Sequence, residues 1–220
     1  TMGEKRQARQ GADVLLQEEP LRFQTRKQVG LLGGNFNPVH LAHLVMADQV
    51  QNQLGLDKVY LMPTYLPPHV DEKKTISSEH RLAMLELAVA DNPCLDIEPI
   101  ELIRKGKSYT YDTMKALKEA NPDTDYYFII GGDMVEYLPK WHRIDDLLHL
   151  VQFVGIRRPN YPTESTYPII WVDVPQMAIS STLIRQKVKS GCSTRYLLPE
   201  NVINYIQEKG LYQDELDNKL

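Results

Sequence analysis

The sequence predicts an α/β protein: a Rossmann-like, doubly wound and mostly parallel sheet with helices on both faces. Short apolar runs alternate with segments of helical apolar spacing from Val29 to Lys209, the pattern of repeated strand–helix–strand units. The strongest runs are followed directly by glycine or proline, which end strands. At 220 residues, of which 42% are hydrophobic and 25% charged, the chain has the size of one globular domain.

The first half of the predicted domain alternates three strands with two helices. Val29–Leu32 is a continuous apolar run, typical of a buried parallel strand, and Pro63 ends the second such run. Ser78 is predicted to cap a helix whose apolar face carries Leu82, Leu85 and Val89. The elements in order are a strand at 29–32, a helix at 41–54, a strand at 58–62, a helix from 78 and a strand at 95–98.

The second half continues the alternation. Pro122 closes a predicted helix, and Tyr126–Ile130 is the strongest strand pattern in the chain. The last helix has Pro199 in its first turn and Gly210 just past its end. The elements in order are a helix at 112–121, strands at 126–130, 151–156 and 169–174, and helices at 181–189 and 199–209.

Three segments follow from this pattern. Residues 28–213 are predicted to form the single domain. Residues 1–27, rich in Gln, Glu, Lys and Arg, are predicted to be a partly ordered N-terminal extension without the apolar stretch of a signal peptide. Residues 214–220 are predicted to be a solvated C-terminal tail.

Composition and charge exclude several classes of partner. A net charge of −4 provides no basic field for a nucleic-acid polymer. No apolar run approaches the roughly 18 residues that span a membrane, so no membrane partner is expected. Cys94 and Cys192 are too few for a disulfide framework, which indicates a cytoplasmic protein. The sequence is compatible with a homo-oligomer.

A glycine turn leads from the first predicted strand into the first predicted helix, where ligands of parallel sheets bind. Residues 33–36 read Gly-Gly-Asn-Phe, and we expect the glycines to turn the backbone and expose amide N–H groups to an anion. His40 and His43 lie three apart at the helix start, so both imidazoles can face the same space. With the positive end of the helix, these donors predict a triphosphate site.

Two other interpretations of the histidines stay open. In the first interpretation, the segment is only a tight turn and the two histidines are surface residues without a functional role. A metal site is the other, but His69 and His80 come from elsewhere and no Cys or Glu stands at a matching spacing. No protein-bound metal is therefore predicted.

A second polar motif begins the helix predicted at 181–189. Ser180 and Ser181 can cap that helix, which is a purely structural explanation. The same hydroxyls, with exposed N–H groups and Arg185 one turn later, also describe a polyphosphate clamp.

These two motifs resemble the fingerprints of the nucleotidylyltransferase superfamily, a glycine turn running into His-x-Gly-His and a distal Ile-Ser-Ser-Thr-x-x-Arg. Within it, the chain is similar to the bacterial nicotinate-nucleotide adenylyltransferases from about Lys27 to Tyr212. The segments that carry the finer resemblance are Pro63–His69, Ser108–Thr113, Ile130–Asp133 and Leu138–Trp141.

The chain departs from the family pattern in three places. Ala42 replaces the glycine between the histidines, and Asn37 stands where aspartate is common. Val70 follows His69 where the family often has lysine, so a basic phosphate contact is expected from Lys73, Lys74 or elsewhere.

The resemblance implies transfer of the adenylyl group of ATP to nicotinate mononucleotide, giving deamido-NAD and pyrophosphate in NAD biosynthesis, with Mg²⁺ as cofactor. A phosphate monoester is already largely ionised at neutral pH and needs no general base. His40, His43 and Arg185 are the implied catalytic residues, acting as donors to phosphate. The implied ATP-binding residues are Gly33, Gly34, Asn35, Phe36, His40, His43, Asp133, Arg157, Ser180, Ser181 and Arg185.

The implied mononucleotide-binding residues are Tyr109, Thr110, Tyr137 and Trp141. Trp141 is expected to stack on the pyridine ring, with a core tryptophan as the alternative. Asp133 is expected to bind a ribose, with a helix cap as the alternative. Arg157 and Arg158 lie where the family forms its adenine pocket, or are plain surface charge.

Two other functions stay open at this point. One is the same transfer onto nicotinamide mononucleotide, phosphopantetheine or another phosphorylated acceptor. The other is a regulator that binds nucleotide without turnover.

Overall fold

The structure, a computed structural model, describes residues 25–65 and 76–213. The predictions for residues 1–24 and 214–220 therefore lie outside the described residues, as do those for His69, Val70, Lys73 and Lys74. None of the helices in the described ranges combines the length and apolar character needed to cross a bilayer.

Six strands form one sheet in the order β3-β2-β1-β4-β5-β6, and every neighbouring pair is parallel. The mostly parallel sheet predicted from the sequence is confirmed. The strands are β1 (Lys27–Gly34), β2 (Lys58–Pro63), β3 (Leu95–Ile97), β4 (Thr124–Gly131), β5 (Val151–Ile156) and β6 (Ile169–Val172).

The helices include every one predicted and three more. The additional ones are two α-helices of five and four residues, too short to show an apolar period, and a 3-10 helix that contains Pro139. The helices are α1 (Leu41–Leu54), α2 (Ser78–Val89), α3 (Ile100–Arg104), α4 (Thr110–Ala120), the 3-10 helix (Gly132–Lys140), α5 (Ile144–Leu147), α6 (Ser181–Lys189) and α7 (Glu200–Lys209).

Three helix starts differ from the prediction. Ser77, not Ser78, caps α2, because its hydroxyl accepts a hydrogen bond from the His80 amide at 3.4 Å. Helix α4 begins at Thr110, two residues earlier than expected. Pro199 is the N-cap residue of α7 and lies just outside the helix.

The core has two halves, one on each face of the sheet. Leu32, Ile129 and Val154 point into the half covered by α1, α2, α6 and α7. Their neighbours Leu31, Phe128 and Phe153 point into the half covered by α4, α5 and the 3-10 helix. Because successive strand residues face opposite ways, both faces are packed, and the doubly wound prediction is confirmed.

The chain reverses its direction of travel across the sheet at β1. From β1 it moves outward through β2 to β3, and it then returns to β4 on the other side of β1. The connections that leave β1 and β4 therefore diverge at their carboxyl ends, and the crevice between them is where such sheets bind ligands.

Candidate active site

The loop between β1 and α1 turns at Phe36 rather than at the glycines. Strand β1 continues through Gly34, and neither Gly33 nor Gly34 has a positive φ, whereas Phe36 has φ +47°. The expectation of a glycine-driven turn is therefore wrong. A left-handed phenylalanine costs about 1–2 kcal/mol, which its buried ring offsets, being only 1% exposed.

Gly34 matters for a different reason. A β-carbon at this position would lie 3.3 Å from the Phe36 ring, tighter than ordinary van der Waals contact. The absence of a side chain at Gly34 thus lets Phe36 fold back over the strand end.

His40 and His43 lie together at the start of α1, as the spacing predicted. Their rings stack with centroids 3.7 Å apart, and the His40 backbone N–H donates to His43 Nδ1 at 3.1 Å. With Nδ1 accepting this bond, the proton of a neutral His43 resides on Nε2, which leaves Nε2 as a hydrogen-bond donor.

Burial keeps both imidazoles neutral. It lowers the pKa of His40 to about 4. Burial, and to a smaller extent the neighbouring His40, lower the pKa of His43 to about 3. His40 Nδ1 is also buried without a hydrogen-bond partner among the described residues, so protonation there would place an unpaired charge in the interior.

Helix α6 is fastened to the same loop by two side chains. Ser181 Oγ donates to the Pro38 carbonyl at 2.8 Å, and Arg185 Nη1 donates to the Asn37 carbonyl at 2.9 Å. Ser180 caps the helix by accepting from the Leu183 amide at 3.1 Å, so the structural interpretation of Ser180 is confirmed. The two polar motifs, far apart in the chain, therefore meet at one edge of the sheet.

Tyr212 also holds this loop, although no motif around it marks it as a functional residue. Its hydroxyl donates to Asn37 Oδ1 at 2.6 Å. Burial raises the pKa of the Tyr212 hydroxyl, so this group remains a donor throughout the physiological range.

Arg81 on α2 is a second residue that sequence reasoning missed. It is 1% exposed, and its Nη1 donates to the carbonyls of Asn35 at 2.8 Å and Thr64 at 2.9 Å. The signal that could have found it is its position: Arg81 stands three and four residues before the buried Met84 and Leu85, on the packed face of the helix. That face includes Leu85 and Val89, as predicted, whereas Leu82 is only half-buried.

Asp133 follows β4, at the other side of the crevice, and pairs with Arg158. Its Oδ1 lies 3.4 Å from Arg158 Nε. The 3-10 helix has no side-chain cap, so the helix-cap interpretation of Asp133 is wrong. Gly131 makes room for the carboxylate, because a β-carbon there would lie 2.5 Å from Asp133 Oδ1.

Arg157 turns to a different partner. Its Nη1 donates to Asp173 Oδ2 at 2.8 Å in an exposed ion pair. Between the two adjacent arginines, the structure therefore places Arg158, and not Arg157, beside Asp133.

The four residues predicted to bind the mononucleotide lie on α4 and the 3-10 helix. Tyr109 is the N-cap residue of α4 and stacks on His142 at 4.1 Å, and Thr110 is the first helical residue. Tyr137 is 46% exposed on the 3-10 helix. Trp141 follows that helix and is half-buried.

Trp141 makes the core contacts that were the alternative to stacking on the pyridine ring, and the stacking role stays a prediction. One part of its ring packs edge-on against Phe128 and Phe153, with centroids 5.9 and 5.8 Å away. The remaining surface is accessible. A core contact and partial exposure therefore coexist in one side chain.

No carboxylate-rich metal centre accompanies these groups in the described ranges. Residues 25–65 and 76–213 contain no group of three or more His, Cys, Asp or Glu side chains placed to hold a metal ion. The donors at the β1–α1 loop are amides, imidazoles, hydroxyls and a guanidinium, which suit phosphate oxygens.

Comparisons with known proteins agree with this chemistry. The profile of the cytidylyltransferase-like family matches residues 31–187. Relatives named "Probable nicotinate-nucleotide adenylyltransferase" include one from Streptococcus mutans, 62% identical over 89% of this chain and 93% of its own length. One from Streptococcus pyogenes serotype M6 has the same identity and the same coverage.

Solved structures support the fold alone. The nicotinic acid mononucleotide adenylyltransferase of Plasmodium falciparum complexed with NaAD superimposes with a TM-score of 0.71 and 20% identity, covering 87% of this chain and 100% of that one. The same protein complexed with APC also gives 0.71, at 18% identity.

The fold and the paired motifs thus define a cytidylyltransferase-like nucleotidyltransferase. Within that class, the chain belongs to the nicotinate-nucleotide adenylyltransferase family.

Proposed function

We propose that this protein transfers the adenylyl group of ATP to nicotinate mononucleotide, producing deamido-NAD and pyrophosphate. The observation that carries the proposal is the joining of the two phosphate motifs by Ser181 and Arg185 at the carboxyl end of β1. The 62% identity to relatives of that name supports the choice of reaction within the class.

The reaction needs positioning more than proton transfer. A 5′-phosphate oxygen of nicotinate mononucleotide attacks the α-phosphorus of ATP in line. The new P–O bond forms as the bond to the β-phosphate oxygen breaks, and pyrophosphate leaves with that electron pair. Because the phosphate monoester is already largely ionised near neutral pH, no general base is required.

The histidines serve this step as neutral donors. A pKa of about 3 keeps His43 uncharged, and its Nε2–H can donate to a phosphate oxygen without first releasing a proton to water. His40, the Gly34, Asn35 and Phe36 amides and the Arg185 guanidinium complete the donor set proposed for the triphosphate.

Mg²⁺ belongs to the proposal as a companion of ATP. We expect the ion to be held mainly by phosphate oxygens and water rather than by protein carboxylates. When bound, it would neutralise part of the triphosphate charge.

The acceptor is proposed to bind at α4 and the 3-10 helix. Thr110 opens α4, so the first-turn amides and the positive end of that helix can meet the nicotinate carboxylate, which nicotinamide lacks. The accessible face of Trp141 can cover the pyridine ring, with Tyr109 and Tyr137 on the same elements.

The proposal also includes a cytoplasmic location and a homo-oligomeric assembly. Both Cys94 and Cys192 are free thiols, which supports a cytoplasmic protein. A homo-oligomer remains to be tested by light scattering of the purified chain.

The decisive experiment offers one preparation ATP, Mg²⁺ and each acceptor in turn, and follows pyrophosphate together with the dinucleotide product. We expect turnover with nicotinate mononucleotide to exceed that with nicotinamide mononucleotide by at least about tenfold, since only the former presents a carboxylate to α4. Equal rates would reassign the acceptor. Nucleotide binding without pyrophosphate release from any acceptor would replace the enzyme by a regulator.

A further inference from the structure

Arg81 stands out because it is a buried cation without an anionic partner. No carboxylate within residues 25–65 and 76–213 lies within ion-pair distance of its guanidinium. Its partners are instead the Asn35 and Thr64 carbonyls and, at 3.3 Å from Nη2, the Ser78 hydroxyl. Its Nε is buried with no partner among the described residues. A buried charge of this kind is costly, which makes a purely structural role a poor explanation.

The bond to Asn35 fixes the orientation of the phosphate loop. In a trans peptide the C=O and the following N–H point in opposite directions. Because Arg81 draws the Asn35 carbonyl inward, the Phe36 N–H is turned to the other side of the loop. Ser181 acts in the same way on the Pro38 carbonyl and thereby on the Val39 N–H.

Thr64 links the same guanidinium to the neighbouring strand end. Its carbonyl accepts from Arg81, its Oγ1 donates to Asn35 Oδ1 at 2.6 Å, and its amide donates to the Gly34 carbonyl at 2.9 Å. One cation therefore joins the ends of β1 and β2 and holds both the backbone and the side chain of Asn35 in place.

We propose that Arg81 is a positioning residue for the phosphates of ATP. It turns the Phe36 amide toward the polyphosphate, and its charge, which no carboxylate of the described residues pairs, attracts that polyanion from behind the loop. This inference rests on the proposed function only in taking ATP as the nucleotide.

The test measures binding without any acceptor. Arg81→Met removes both the charge and the hydrogen-bond donors. Arg81→Lys keeps the charge but loses the planar guanidinium with its several donors. Arg26→Met is the control. Arg26 forms an exposed ion pair with Asp125 at the amino end of β1, away from the loop. The ligands are α,β-methylene-ATP and adenosine, which share the base and ribose and differ in the phosphates.

We expect Arg81→Met to weaken binding of the ATP analogue by about tenfold to a hundredfold and to leave adenosine within about threefold of wild type. Arg81→Lys should lose less affinity for the ATP analogue than Arg81→Met does. Arg26→Met should bind both ligands as tightly as wild type. In ¹⁵N spectra, pyrophosphate should shift the Phe36 amide of wild type and not that of Arg81→Met.

Equal losses for the analogue and for adenosine would show that Arg81 only maintains the fold and would overturn the proposal. Unchanged analogue binding would overturn it as well. If Arg81→Met does not fold, the test rests on Arg81→Lys. Wild-type affinity for the analogue in that variant would show that the planar guanidinium is not needed and would overturn the proposal. A wild type that binds the analogue but makes no deamido-NAD refutes the proposed function and leaves this comparison valid.

Discussion

At the start of α1, two stacked imidazoles share one short stretch of backbone, and burial keeps both of them neutral. The i, i+3 spacing of His40 and His43 was enough to predict their proximity from sequence. Arg81 was not found, because a charged residue normally marks the solvent side of a helix. Its burial depends on the Asn35 and Thr64 carbonyls, which only the tertiary structure brings within reach.

Replacing His43 by alanine is expected to lower kcat by about 10²–10³, because one donor to the triphosphate is lost. The fold should survive, with a stability loss of about 1 kcal/mol from the His40 amide that His43 no longer caps. Steady-state rates and thermal melts measure the two effects. His149→Ala, at an exposed position, is the matched control and should behave as wild type. Near-normal turnover in His43→Ala would remove this residue from the phosphate site.

The lowered pKa values of His40 and His43 predict how the stability of the fold depends on pH. An unfolded histidine has a pKa near 6.5, whereas folding lowers the pKa of His40 to about 4 and that of His43 to about 3. Below pH 6.5 the unfolded chain therefore binds more protons, and the free energy of unfolding falls as the pH drops toward those folded values.

Each histidine should contribute a loss of at most roughly 1.4 kcal/mol per pH unit in that window. Urea unfolding at several pH values from neutral to mildly acid measures the slope, and His43→Gln should reduce it. A variant with the wild-type slope would mean that other groups cause the acid sensitivity.

Among the elements, the 3-10 helix between β4 and α5 carries Tyr137 and is followed by Trp141, two of the residues proposed to bind the acceptor. Its nine residues lack a capping side chain and include Pro139, so no start signal marked it in the sequence and the proline argued against a helix there. The strands and the longer helices were predicted within a few residues, because the strands show short apolar runs and the helices show apolar residues at helical spacing. The unpredicted α3 and α5 contain only five and four residues.

Gly132, the first residue of this helix, is packed against backbone. A β-carbon there would lie 2.7 Å from the Ile156 carbonyl oxygen of β5, which cannot move aside as a side chain could. Gly132→Ala should therefore destabilise the protein by about 1–3 kcal/mol in chemical unfolding. Gly33→Ala is the comparison, since its β-carbon would meet nothing closer than 3.9 Å. A Gly132→Ala protein as stable as Gly33→Ala would contradict this packing.

Trp141, just past the other end of the helix, is expected to affect binding and stability separately. Trp141→Ala should raise KM for nicotinate mononucleotide about tenfold with little change in kcat. The reason is that stacking contributes to binding of the pyridine ring and not to the transfer step. It should also lower the melting temperature through the lost edge contacts with Phe128 and Phe153. Trp141→Phe should restore most of the stability and only part of the affinity. An unchanged KM in the alanine variant would exclude the stacking role.

For the whole molecule, the site depends on joining segments from opposite ends of the domain. The loop after the first strand accepts bonds from Arg185 and Tyr212, and the Leu41 amide donates to the Leu197 carbonyl at 2.9 Å. The fold class and the meeting of the two motifs could be predicted from sequence, because parallel strands bring their carboxyl ends to one edge. Tyr212 could not, since nothing in its local sequence sets it apart from other tyrosines near helix ends.

Tyr212→Phe removes the donor to Asn37, a residue that is 7% exposed and cannot recover the bond from bulk water. We expect a stability loss of about 1–2 kcal/mol together with a lower kcat/KM for ATP. Tyr196→Phe, at a position 80% exposed, is the control and should change neither quantity. Loss of stability with full ATP kinetics would limit Tyr212 to a purely structural role.

The bond between Tyr212 and Asn37 also has a consequence for biosynthesis. A ribosome makes the phosphate loop early and the residue that secures it 175 positions later. We therefore expect a growing chain to hold its first strand and loop long before it can bind ATP, so that cellular nucleotide does not guide the early steps of folding. On this expectation, a chain truncated before the Glu200–Lys209 helix lacks the bond that secures the loop.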